Sequence, residues 1–174
     1  MVALARLLPL KALDDAVRAV AQVATVRPAQ LVVAGEGPDR ARLQAVIDET
    51  RAPASLPGRL PAVTVLKAAD LFVLPSRYEG MPLSLIEAMA MGVPSLCSDI
   101  AETRETGGDA AAYAPVGDPA ALGREMLALA GDPARRAALS RAGVARARQF
   151  AAEVVARRFL DGVEQAQREH ARSR

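Results

Sequence analysis

A chain of 174 residues, 51% of them apolar, has the size and composition of one soluble globular domain and not of a disordered segment. With no Trp, two Tyr and three Phe it lacks the rings for a single-stranded nucleic-acid platform, and a formal net charge of +2 by itself implies no anionic partner. A lone cysteine, Cys97, excludes an internal disulfide, and Cys97 with the single histidine, His170, cannot build a zinc site.

The chain opens with Val2 to Ala5, read as a short first strand, and Leu13, Val17, Val20 and Ala24 then recur at helical spacing. Leu31 to Ala34 reads as a buried strand ending in Gly35-Glu36-Gly37-Pro38. Pro38 suits the first turn of a helix whose Leu43, Val46 and Ile47 share a face. Thr50 to Pro61 carries three Pro and supports only a poor strand at Leu56-Pro57-Gly58. A short helix from about Ala62 to Ala69 precedes a strand at Leu71 to Leu74. A helix from Pro82 to Met91 is stopped by Gly92, and a strand follows at Val93 to Cys97. A short helix at Glu102 to Thr106 and a small strand at Ala110 to Ala114 complete the alternation. Asp118-Pro119 and Asp132-Pro133 are matching helix starts, and a last helix spans about Ala151 to Gln167. The expected fold is α/β: a Rossmann-like parallel sheet flanked by helices, with a helical C-terminal extension, as one domain over residues 1–174.

Of the 22 basic residues 20 are Arg, and only Lys11 and Lys67 are Lys, which alongside abundant Ala reads as a codon bias. From Arg135 to Arg174 ten Arg face four acids: a solvated helix face, or a basic surface for anionic lipid or another subunit. There is no Asp-x-Asp, and Asp14-Asp15 falls in a helical segment, so metal-dependent chemistry is not expected. No apolar run reaches the length of a membrane span and the start does not resemble a signal peptide; a cytoplasmic location is expected.

In an open parallel sheet, ligands sit outside the carboxyl ends of the strands. Arg6 and Lys11 follow the first strand, Gly35 and Gly37 the second, Gly58-Arg59-Leu60 the third, and Ser76 to Pro82 the fourth. Free N–H groups around Gly80, Met81, Pro82 and Leu83 at a helix start suit phosphate. Glu79 would stand beside them, and Glu87, about a turn and a half into the helix, would reach hydroxyls such as a ribose diol. The apolar neighbours of Glu87 predict a buried carboxylate, which needs a partner. The plainer alternative makes Glu79 a loop charge and Glu87 a surface charge. Gly35-Glu36-Gly37 lacks the third glycine of a dinucleotide loop.

The segment from Ser76 to Pro94, with Glu79 and Glu87 eight positions apart, resembles the signature of retaining glycosyltransferases of family 4, the group 1 glycosyltransferases, which have the GT-B fold. Ala5-Arg6-Leu7 with Lys11, Val33 to Pro38, Ala68 to Ser76 and Gly117-Asp118-Pro119 extend the resemblance through nearly the whole chain. It implies the donor-binding C-terminal half of a GT-B enzyme. Arg6 and Lys11 would hold the diphosphate of a UDP- or GDP-sugar, and Glu87 the ribose. Glu79, with backbone of Gly80, Met81, Pro82 and Leu83, would hold sugar and phosphate. Backbone near Arg59 and Leu60 would meet the base, and the loop of Gly35 and Gly37 would border the pocket. No cofactor and no metal are implied.

Ala5 and Ala12 stand where the family usually has Gly, and because the resemblance is to the C-terminal half alone, the family's N-terminal acceptor domain is expected to be absent from this chain. The expectation is a chain that binds donor but transfers sugar poorly alone, completed by a separate or missing acceptor domain. A non-catalytic nucleotide-sugar module and a degenerate fragment are the alternatives. A severed partner predicts an exposed apolar patch on the carboxyl-end face and last helix, and a tendency to self-associate.

Overall fold

The computed structural model describes residues 1–172. Six strands, β1 (Val2–Leu4), β2 (Leu31–Ala34), β3 (Ala54–Gly58), β4 (Phe72–Leu74), β5 (Ser95–Ser98) and β6 (Ala112–Ala114), form one sheet in the order β3-β2-β1-β4-β5-β6. Every neighbouring pair is parallel. Parallel neighbours need a crossover between them, and helices supply it: α1 (Leu13–Ala24), α2 (Arg40–Thr50), α3 (Ala62–Lys67), α4 (Leu83–Ala90) and α5 (Ala101–Gly107). Three further helices, α6 (Pro119–Gly131), α7 (Pro133–Ala147) and α8 (Ala152–Arg172), follow β6. This is the α/β architecture expected from the sequence, and the strand order reverses direction between β1 and β4.

Alternation along the strands divides the core in two. Ala3, Leu31, Val33, Val73 and Leu96 join Val17, Val20, Leu43 and Met126 on one face. Val2, Phe72, Leu74 and Cys97 join Leu85, Ala88 and Met89 on the other. Cys97 is fully buried, and burial first, then the charge of Glu79, pushes its thiol well above the usual range, so it stays protonated.

The third strand is longer than its three Pro suggested. Pro57 is exposed and β3 is the edge strand, where a missing N–H costs little. The β2–β3 register shifts between Val32 and Ala34, which absorbs the proline. Pro38 lies ahead of α2 instead of inside it, because Asp39 takes the N-cap position. Asp118 and Asp132 do cap α6 and α7, each carboxylate accepting an N–H three residues on at 2.8 Å.

Several C-terminal arginines have local partners. Arg136 donates to the carbonyls of Leu129 and Ala130 at the end of α6, and Arg146 to those of Thr106 and Glu105 at the end of α5. Arg174 lies outside the described residues. The last helix carries an apolar stripe that no described residue covers: Val155, Phe159, Leu160 and Val163 are 40–71% exposed. No helix among the described residues is long and apolar enough to cross a membrane.

Candidate functional site at the carboxyl edge of the sheet

The switch in strand order between β1 and β4 opens a crevice at their carboxyl ends. The chain leaving β1 stays beside the chain leaving β2: Leu7 N–H donates to Glu36 O (3.0 Å) and Asp39 N–H to Leu7 O (3.1 Å). Gly35 and Gly37 make this approach possible. A Cβ on Gly35 would collide with Ala5 O, and one on Gly37 with Leu7 O. These glycines therefore pack the Arg6 loop in place, a role the sequence reading did not give them. The loop closes in a 3₁₀ turn, Pro9–Lys11, and enters α1 through Ala12. Ala12 is fully buried at φ +46°, a left-handed conformation that costs an L-residue about 1–2 kcal/mol. Here the departure from glycine carries strain. Ala5 shows no positive φ and carries none.

The loop leaving β4 locks onto this first loop. Arg77 N–H donates to Leu10 O (2.9 Å), and the Arg77 guanidinium reaches Asp15 on α1 (3.4 Å). Burial and the charge of Asp14 raise the Asp15 carboxyl above its ordinary range, against the pull of Arg77. Below them, Lys11 Nζ meets Glu79 Oε2 at 2.7 Å, joining residues 68 positions apart. Ser76 Oγ donates to Glu79 Oε1 at 2.6 Å. Glu79 is only 6% exposed, and these two donors are what a desolvated carboxylate requires.

Above this pair lies an open shelf. Tyr78, Met81 and Leu83 are more than half exposed, and a Cβ on Gly80 would touch nothing within 4 Å. The N–H groups of Gly80, Met81 and Ser84 meet no acceptor among the described residues. Two details differ from expectation. Leu83 N–H is taken by Met81 O at 2.8 Å, and Pro82 has no N–H, so the free donors lie on either side of them. Glu87 is exposed, not buried: its position on α4 repeats that of Leu83 one turn earlier, on the face turned away from Leu85, Ala88 and Met89. It makes no ion pair among the described residues. Neither does Arg6, which is also exposed.

The structure thus brings Lys11 and Glu79 together and sets Arg6, Gly80, Met81 and Glu87 on the same edge of the sheet. Arg59 and Leu60 follow the outer strand and connect to this edge only through backbone, Gly35 N–H donating to Gly58 O at 2.9 Å. Ser76, Arg77 and Asp15 were missed; the Ser76-x-x-Glu79 spacing was the available signal for the first. Among the described residues no group of three His, Cys, Asp or Glu is placed to hold a metal ion.

A larger hollow, about 950 Å³, is lined by Met1, Arg27, Gln30 and Asp70 near the amino ends of the strands and extends along α3 past Thr64 to Leu60. Volume alone does not make it the site. Arg136, one of its two arginines, is spent on the carbonyls of Leu129 and Ala130, and the strands present their amino ends to the hollow, away from the edge where ligands of parallel sheets bind.

The reversed order of a parallel sheet, with cations and a helix N-terminus at the reversal, defines a Rossmann-like fold with its crevice at the carboxyl edge. A model of the family "Glycosyl transferases group 1" matches residues 1–132, and the chain belongs to that family. It is 33% identical over 150 residues to a GDP-mannose-dependent monoacylated alpha-(1-6)-phosphatidylinositol monomannoside mannosyltransferase of Corynebacterium glutamicum, covering 79% of this chain and 39% of that protein. Among solved structures, sucrose-phosphate synthase from Thermosynechococcus elongatus superimposes with a TM-score of 0.84 at 25% identity, over 97% of this chain and 46% of the other. The pneumococcal O-GlcNAc transferase GtfA, in complex with UDP and GlcNAc, gives 0.84 at 20% identity over 94% and 35%. The fold is that of one half of a GT-B glycosyltransferase, and the chain spans less than half the length of each of these proteins.

Proposed function

We propose that this chain is the donor-binding half of a hexosyl-type glycosyltransferase and that the carboxyl edge of its sheet holds a nucleoside diphosphate sugar. The observation that carries the reading is the meeting of Lys11 and Glu79 beneath free N–H groups at the start of α4. Cleaving a glycosyl–phosphate bond leaves negative charge on the diphosphate while positive charge grows at the anomeric carbon. Arg6 and the N–H groups of Gly80 and Met81 face the first charge, and Glu79 faces the second. Because Glu79 already neutralises much of Lys11, Arg6, which has no ion pair among the described residues, carries most of the attraction for the diphosphate. Glu87 takes the ribose hydroxyls, and backbone at Arg59 and Leu60 borders the base. These groups replace a divalent metal. Retention of anomeric configuration follows the family resemblance alone.

The uncovered apolar residues support an acceptor-binding partner. Leu10, Tyr78, Met81, Leu83 and Val116, on segments that follow the carboxyl ends of their strands, are 40–62% exposed, and the stripe of α8 is equally open. Such surface is what an interdomain or intersubunit face leaves when unoccupied. In this reading a separate acceptor domain completes the enzyme, and without it the chain self-associates. GDP-mannose in the name of one relative and UDP in one neighbour's complex make guanine and uracil the two candidate bases.

Calorimetric titration with UDP and GDP in the presence of EDTA tests the proposal. One nucleotide is expected to bind in the micromolar to millimolar range without metal. A folded chain that binds neither removes the donor-site assignment.

A further inference from the structure

Glu79 is held from two sides by groups that differ in exposure and in rigidity. Lys11 is a flexible ammonium at the rim, with 19% of its side chain exposed. Ser76 is fully buried, follows the buried strand β4 directly after Pro75, and donates among the described residues to one acceptor, Glu79 Oε1 at 2.6 Å. A carboxylate turns freely about its last bond unless both oxygens are engaged. From this geometry we infer that Ser76 is a positioning residue: its hydroxyl fixes the plane of the Glu79 carboxylate so that Oε2 stays on Lys11 and the remaining lone pairs face the shelf where a sugar would lie.

The inference rests on the donor-site reading and refines it. Ser76 touches no ligand in this scheme. It acts through Glu79, so its effect falls mainly on the sugar that Glu79 holds and reaches the nucleotide only indirectly, through Lys11. A residue needed only for packing would disturb both. The short hydrogen bond to a nearly buried, charged acceptor is also the kind whose loss is felt most. Ser76→Ala leaves Oε1 without a donor and the carboxylate free to swing toward Lys11 alone.

The test compares wild type, Ser76→Ala and Ser76→Cys for binding of UDP and GDP and of their hexose conjugates, with glucose, galactose, N-acetylglucosamine and mannose. The contribution of the sugar is the ratio of the dissociation constants with and without it. In Ser76→Ala this ratio is expected to fall about tenfold while the affinity for the bare nucleotide changes less than twofold. Ser76→Cys, which keeps the volume and a weaker donor, is expected to fall between. Equal losses for nucleotide and conjugate would make Ser76 a packing residue and overturn the inference. So would a wild type in which no hexose adds to nucleotide binding, or an unchanged ratio in both variants. A wild type that binds no nucleotide at all instead overturns the donor-site reading on which the inference stands.

Discussion

Glu87→Ala is expected to weaken binding of a nucleoside diphosphate roughly 10- to 100-fold, the loss expected for one or two charge-assisted hydrogen bonds. The structure makes this a clean experiment. Glu87 is exposed and has no ion pair among the described residues, so its removal leaves no buried group unsatisfied. Alanine is also the better helix former, which favours α4 if anything. Any loss of affinity is therefore a loss of ligand contact, read by titration beside an unchanged thermal melt. Glu87→Gln, still an acceptor but uncharged, should lose less. An alanine variant that binds as wild type would make Glu87 a solvent-facing charge and move the ribose elsewhere.

Gly37→Ala tests the scaffold under the site. The added methyl would overlap Leu7 O, and backbone carbon and nitrogen of Leu7 lie 2.8 Å away, so no side chain can swing aside. The two loops must part, at a cost of roughly 3 kcal/mol in urea-unfolding stability. Parting them also displaces Arg6, so nucleotide affinity should fall with stability. Gly80→Ala is the control: its methyl meets nothing within 4 Å, and unfolding stability should change by less than about 0.5 kcal/mol. If Gly37→Ala is as stable as wild type, the glycines are not what holds the Arg6 loop against β2.

Local signals in the sequence carried much of the fold. Apolar runs at Leu31 and Leu71, the two Asp-Pro caps and Gly92 each report on a neighbourhood of a few residues, and each was legible. Pro57 misled because a proline's cost depends on whether its strand lies at an edge, which is a property of the sheet. Glu87 misled for a related reason. Leu85, Ile86, Ala88 and Met89 around it describe a buried helix on average, whereas burial follows the 100° step per residue, and that step carries Glu87 to the open face with Leu83. The candidate residues themselves were legible through the spacing of Glu79 and Glu87. Their relations were not: the Lys11–Glu79 pair spans 68 positions, and the glycines act on a loop some 30 residues earlier in the chain. Ser76 escaped because a serine beside a strand is ordinary until its hydroxyl is seen on a carboxylate.

Apolar side chains on α8 and around the shelf are exposed, but the central claim concerns the shelf itself. The most direct measurement is a crystal structure of the chain with bound UDP or GDP. The diphosphate should lie between Arg6 and the N–H groups of Gly80 and Met81, with the ribose against Glu87. A nucleotide seated instead in the 950 Å³ hollow beside Arg27 and Asp70 would contradict the account.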